Sequence, residues 1–246
     1  MRNIVKKLAA VLFVLINFGA LSMTASADVT LELQSGPFGG PVPVASLGES
    51  VYTYPYTFNI VSGSVTTDNV ALMCIDFSRD TPLNATWTAT PETLSQAVMT
   101  EQPPNTGTPP SVTQIDADAF ILAEILNTPA ADTTTIEELQ FAAWQVLDGA
   151  GADTGNATFD AAAAADVTFA ENNDPASGNS FYNNFVLYVP DPDSPTADQR
   201  FLGIVNGNTP PPVPHLTPTP EPSSLLLLGT GVLGAAGMLR KRLVKA

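Results

Sequence analysis

Short runs of alternating apolar and polar residues open the chain's main segment. Residues 30–33, 52–54, 56–60 and 70–77 have the alternation or β-branched and aromatic content of strands, with Gly, Pro, Asn and Asp between them. The period then changes. Over 114–126, Ile115, Ala119, Leu122 and Leu126 recur at helical spacing while Phe120, Ile121 and Ile125 fill the flanks, which predicts a helix buried on most of its surface. A second helix is expected from Thr135, whose hydroxyl and the Glu138 carboxylate make a capping box, to the stop at Asp148-Gly149. Residues 153–178, rich in Ala, Asp and Asn, read as loop with a weak helix, and strands return at 185–189 and 201–205. Helices confined to the middle of a β chain imply an α+β domain: a β-sandwich or barrel-like sheet with an inserted helical subdomain.

Both ends read as addresses. Arg2, Lys6 and Lys7 precede an apolar run, and Ala25-Ser26-Ala27 supplies the small residues of a cleavage site, so 1–27 is expected to be a signal peptide. Residues 28–208 form the expected folded ectodomain. Residues 209–222 hold seven prolines, a polyproline II spacer of about 40 Å. Residues 223–239 are uncharged, about 25 Å as a helix, and Arg240, Lys241 and Arg242 follow at once. By the positive-inside rule these cations anchor a transmembrane helix (223–246 with its basic tail) in the cytoplasm and leave the ectodomain outside.

Charge sharpens the picture. The whole chain carries −15, but residues 28–222 hold all 24 acidic residues, two arginines (Arg79 and Arg200) and no lysine, a formal −22. Such a surface repels phosphate backbones and excludes nucleic acid as a partner. The single cysteine, Cys74, excludes an internal disulfide framework and Cys-rich metal sites, and the single histidine, His215, lies among prolines where no pocket could orient a catalytic base. Asp116 and Asp118, two apart on a helix, point to different faces and do not suit paired-carboxylate catalysis. No enzyme, cofactor or metal site is expected.

The order Pro220-Glu221-Pro222, apolar helix, Arg240-Lys241-Arg242 resembles the PEP-CTERM sorting signal of Gram-negative bacteria that make extracellular polysaccharide. The resemblance implies processing by an exosortase and delivery to the cell surface or extracellular matrix.

Two residues of the domain are out of character with their surroundings. Cys74 sits in the apolar strand Ala71-Leu72-Met73-Cys74-Ile75, and Gln140 lies on the apolar stripe of the second helix, one turn from Ile136 and from Trp144. An unpartnered amide there costs about 1–3 kcal/mol. An inert core thiol and a core amide bonded to backbone are one reading of the pair. The other is condensation of the thiol with the carboxamide to an internal thioester, with loss of ammonia. Such a bond would close a loop of about 67 residues and contribute roughly 4 kcal/mol through chain entropy.

Met73-Cys74-Ile75-Asp76 and Leu139-Gln140-Phe141-Ala142-Ala143-Trp144 are similar to the cysteine and glutamine motifs of bacterial surface thioester domains, and Gln199-Arg200-Phe201-Leu202 is similar to their closing strand. Met73 stands where an aromatic residue or Leu is usual, and Ala143 where Ile or Val is. The resemblance implies a Cys74–Gln140 crosslink, with Asp76 and Trp144 as pocket residues, attacked by an amine of a surface or matrix partner. Exopolysaccharide of a biofilm matrix is a further candidate partner. A non-reactive structural protein of that matrix, with an ordinary buried Cys74, is the alternative.

Overall fold

The computed structural model describes residues 28–34, 39–77, 81–94, 110–191 and 199–205. The expected signal peptide, the Pro-rich linker with Pro220, Glu221 and Pro222, and the apolar segment with Arg240, Lys241 and Arg242 lie outside the described residues. Among the described residues no helix is long and apolar enough to cross a membrane.

Six antiparallel strands close a barrel: β1 (Val29–Leu33), β4 (Tyr56–Ser62), β5 (Val65–Cys74), β8 (Phe201–Ile204), β7 (Phe185–Pro190) and β6 (Thr86–Glu92), in that spatial order. The period-two pattern of β1 turns Val29, Leu31 and Leu33 inward. Leu31 is registered with Ile60 of β4 on one side and with Trp87 of β6 on the other. The barrel is filled by an aromatic cluster in which Phe58 lies 4.7 Å from Phe201 and 5.6 Å from Trp87, centroid to centroid. Burial of each of these rings is worth about 2–3 kcal/mol. Between β4 and β5 the register shifts by one residue after Phe58, where Asn69 takes a left-handed φ of 58° and its N–H donates to Asn59 Oδ1 at 3.2 Å. Strands β2 (Pro41–Val44) and β3 (Glu49–Tyr52) pair as a separate hairpin.

Three helices are inserted between β6 and β7: α1 (Val112–Asn127), α2 (Thr133–Asp148) and α3 (Ala157–Asn173). The first is buried at every position from Ile115 to Ile125, including Asp116, Asp118 and Glu124. It packs against α2, α3 and β8, while α2 meets β5. These two meetings place the helical face that carries Gln140 over the end of the strand that carries Cys74.

The α+β class and a barrel-like sheet with inserted helices describe the molecule, with the sheet closed as a barrel. Several local expectations are corrected. Residues 157–173, expected as loop with a weak helix, form the full helix α3: alanine has the highest helix propensity, and Asn156 caps the helix by accepting the N–H groups of Thr158 and Phe159. Helix α2 is capped by Asp132 rather than Thr135; the Asp132 carboxylate accepts both the Thr135 N–H (3.3 Å) and the Thr135 hydroxyl (2.9 Å), so Thr135 lies within the first turn. Strand β5 begins at Val65 and ends at Cys74, five residues earlier and three residues earlier than expected.

Candidate functional site

Cys74 is the last residue of β5 and pairs with Phe201 of β8. Gln140 lies mid-way along α2 on its buried face, and both residues have no solvent exposure. The Gln140 amide donates through Nε2 to the Cys74 carbonyl oxygen at 2.7 Å. Its Oε1 is buried without a hydrogen-bond partner. The Cys74 thiol donates to the Asp76 carbonyl oxygen at 3.3 Å. Burial pushes the Cys74 thiol well up from its ordinary value, with the Asp76 carboxylate adding to the shift; the Asp76 backbone, the Trp144 indole and Arg200 act the other way. The Trp144 indole N–H is buried without a hydrogen-bond partner.

The segment that carries the thiol is fixed from the far end of the chain. Arg200 directs Nε to both Asp76 carboxylate oxygens, at 2.9 and 2.8 Å, and Nη2 to Oδ1, while its backbone N–H donates to Oδ2 at 2.8 Å. Gln199 Nε2 donates to the Asp76 carbonyl at 3.1 Å, and the Ile75 N–H to the Arg200 carbonyl at 3.2 Å. Both members of this ion pair are buried. Breaking such a pair leaves an uncompensated charge in the interior and is strongly destabilising.

An aromatic roof covers the pair. Trp144 is one helical turn beyond Gln140, and its ring lies 5.2 Å from Phe77 and 4.9 Å from Phe141. Phe159 of α3 meets Phe141 edge-on at 5.2 Å, so the third helix buttresses the roof. Asp148, a further turn along α2, accepts the Phe77 N–H at 3.2 Å and is half-buried. Among the described residues no group of three or more His, Cys, Asp or Glu side chains is placed to hold a metal ion. A cleft of about 780 Å³ opens elsewhere, lined by Glu92, Asp116, Tyr182 and Phe185, and none of Cys74, Gln140, Asp76 and Trp144 borders it.

The address beyond the described residues is decided by its own pattern, in which Pro220-Glu221-Pro222 precedes an apolar stretch and Arg240-Lys241-Arg242. Residues 218–242 match the PEP-CTERM protein-sorting motif. The PEP-CTERM match implies an exported protein processed by an exosortase and passed through the membrane to the cell surface. No match was found among curated proteins. Among solved structures, the N-terminal thioester domain of a surface protein from Clostridium perfringens is similar at a TM-score of 0.35 and 13% identity, over 72% of this chain and 97% of that one.

All four folded-domain residues singled out from the sequence, Cys74, Asp76, Gln140 and Trp144, thus meet in one buried place where α2 packs on the end of β5. Sequence reasoning did not assign roles to Arg200, Asp118 and Asp148. Arg200 carried a signal, since it is one of only two cations in residues 28–222 and stands directly before an apolar strand. Asp148 carried another, lying eight residues from Gln140 on the same helical face. Asp118 is fully buried and neither carboxylate oxygen has a hydrogen-bond partner. Burial, then the charges of Asp76 and Asp148, hold its carboxyl well above the usual carboxylate range.

Proposed function

We propose that the chain is an exosortase-sorted surface or matrix protein whose domain forms an internal thioester between Cys74 and Gln140 and attaches covalently to an amine-bearing partner. One observation carries the reading: a fully buried glutamine amide rests on the backbone carbonyl of the single cysteine, with its own oxygen unpartnered. An orphan amide oxygen of this kind costs about 1–3 kcal/mol. Condensation removes that polar group from the core. The Cys74 sulfur bonds to the Gln140 acyl carbon, the carbon–nitrogen bond breaks, and the thiol proton leaves with the amide nitrogen as ammonia.

The surroundings suit an acyl group that must be stored and then spent. The Asp76–Arg200 pair sets the position of the sulfur, and the roof of Trp144, Phe77 and Phe141 keeps water from the acyl carbon. When an amine attacks, the sulfur becomes the leaving group, and the Trp144 N–H and the Arg200 charge favour its anionic form. The reaction is stoichiometric and uses no cofactor, so the protein is not an enzyme in this reading. The absence of lysine from residues 28–222 keeps identical domains from reacting with one another through lysine side chains.

The test is labelling. The purified protein is incubated with isotope-labelled methylamine, digested and mapped, and the unfolded protein is titrated for free thiol before and after the amine. The proposal expects label on Gln140 and a Cys74 thiol that becomes titratable only after amine treatment. A free thiol from the start, with no label on Gln140, refutes covalent attachment and leaves the non-reactive matrix protein.

A further inference from the structure

Three carboxylates surround the Cys74 end of the site, and they are not equivalent. Asp76 is neutralised by Arg200. Asp118, on α1, is sealed in the interior with both oxygens unpartnered and feels the charges of Asp76 and Asp148. Asp148 is the member that reaches solvent: half-buried, at the last position of α2, with one oxygen on the Phe77 N–H. Gln140, Trp144 and Asp148 stand at successive turns on one face of α2, a ladder about 12 Å long from the buried acyl group to the surface. The rings of Phe77 and Trp144, 5.2 Å apart, lie alongside it. A solvent-reaching carboxylate beside aromatic faces is the chemistry that receives an alkylammonium ion. No metal-ligating geometry competes for the place among the described residues.

We propose that Asp148, with Phe77 and Trp144, is the receiving site for the target's primary ammonium group and accepts its proton before the nitrogen moves inward to Gln140. This rests on the thioester reading and adds the residues that receive the amine and, through the Asp148 charge, prefer its cationic form to a neutral nucleophile. The ammonium gives one proton to the Asp148 carboxylate. The neutral nitrogen then bonds to the Gln140 acyl carbon, the carbon–sulfur bond breaks, and the second nitrogen proton passes to the Cys74 sulfur. The products are a secondary amide, a Cys74 thiol and a protonated Asp148, so atoms and charge balance. Burial, opposed by the Phe77 N–H and reinforced by the Asp76 charge, holds the Asp148 carboxyl above its ordinary value, which favours its taking the proton.

The experiment compares two probes on the full exported chain: methylamine, cationic at neutral pH, and hydroxylamine, uncharged there. Rates of addition at Gln140 are followed by mass in wild type, Asp148→Asn and Asp148→Glu. The expected result is a loss of about tenfold or more with methylamine in D148N, hydroxylamine within about twofold of wild type, and recovery of methylamine reactivity in D148E. Added salt should slow methylamine, and not hydroxylamine, in wild type. Equal loss with both probes identifies a merely structural aspartate and overturns the proposal, as does no loss with either. If wild type takes up neither probe, the thioester reading itself has failed and the receiving site falls with it.

Discussion

Replacing Arg200 with methionine removes the one cation among the described residues that faces the buried Asp76 carboxylate and keeps most of the side-chain volume. The carboxylate has no solvent exposure, and in the native protein it takes bonds from Nε, Nη2 and the Arg200 backbone N–H. The variant retains only the backbone bond among these, so a charge is left in the interior with one donor. Stranding a buried charge in this way costs about 3–5 kcal/mol. Against a domain stability of about 5–15 kcal/mol this removes about a fifth of the total or more. With a urea m-value of about 2 kcal/mol/M, the midpoint should fall by about 2 M. The double variant Asp76→Asn/Arg200→Met strands no charge and should recover at least half of the loss; the four-corner cycle in urea then gives the coupling directly. A loss below about 1 kcal/mol in R200M would refute the reasoning, because it would mean that the Asp76 carboxylate does not stay stranded in the interior once the guanidinium is gone.

Stability should fall as pH rises. Burial holds the carboxyls of Asp118, Asp116 and Asp148 above the ordinary range, and burial with the nearby charges of Glu138 and Glu124 pushes Asp166 up to about 7. The folded form therefore keeps protons that the unfolded chain has lost, so the stabilisation is complete below the unfolded carboxylate range and is lost as pH rises toward 7; urea midpoints at about pH 5 should exceed those at about pH 8, and the opposite order would contradict the assignment. Asp118→Asn, which cannot ionise, should flatten that slope, measured in the same titration. Phe58→Ala empties the centre of the barrel's aromatic cluster and should cost about 3–5 kcal/mol in chemical denaturation. Val65→Lys places an amine on a residue that is 64% exposed, and under the thioester reading it should yield covalent dimers on denaturing gels that Cys74→Ala abolishes.

The parts of the architecture legible in the sequence are those governed by local periodicity. The filled-in apolar pattern of 115–125 announces a helix with no free face, and α1 is buried throughout that stretch. Helix α3 was not legible as a full helix because its apolar positions are mostly alanine and form no stripe; only Ala163 and Ala170 are buried. Strand β6 reads Thr-Trp-Thr-Ala-Thr-Pro-Glu, whose threonines and tryptophan suit a strand, but only Trp87 and Ala89 are buried and Pro91 interrupts the pattern, so its pairing with β1 and β7 decides it. The site divides in the same way. Cys74 and Gln140 are conspicuous because each violates the pattern of its own element. Arg200 and Asp76 are 124 residues apart, and nothing local to either residue indicates that they form a pair. Asp118 lies on a helix whose burial is legible, yet its lack of hydrogen-bond partners is a property of the assembled helices and barrel.

The measurement that bears most directly on the central claim is the intact mass of the purified protein against that of its Cys74→Ala variant. The account predicts a wild type lighter than its sequence by the mass of one ammonia and a variant at full mass, with methylamine restoring a mass increment to wild type alone. Wild type at its full sequence mass, with Cys74 free, would contradict the account.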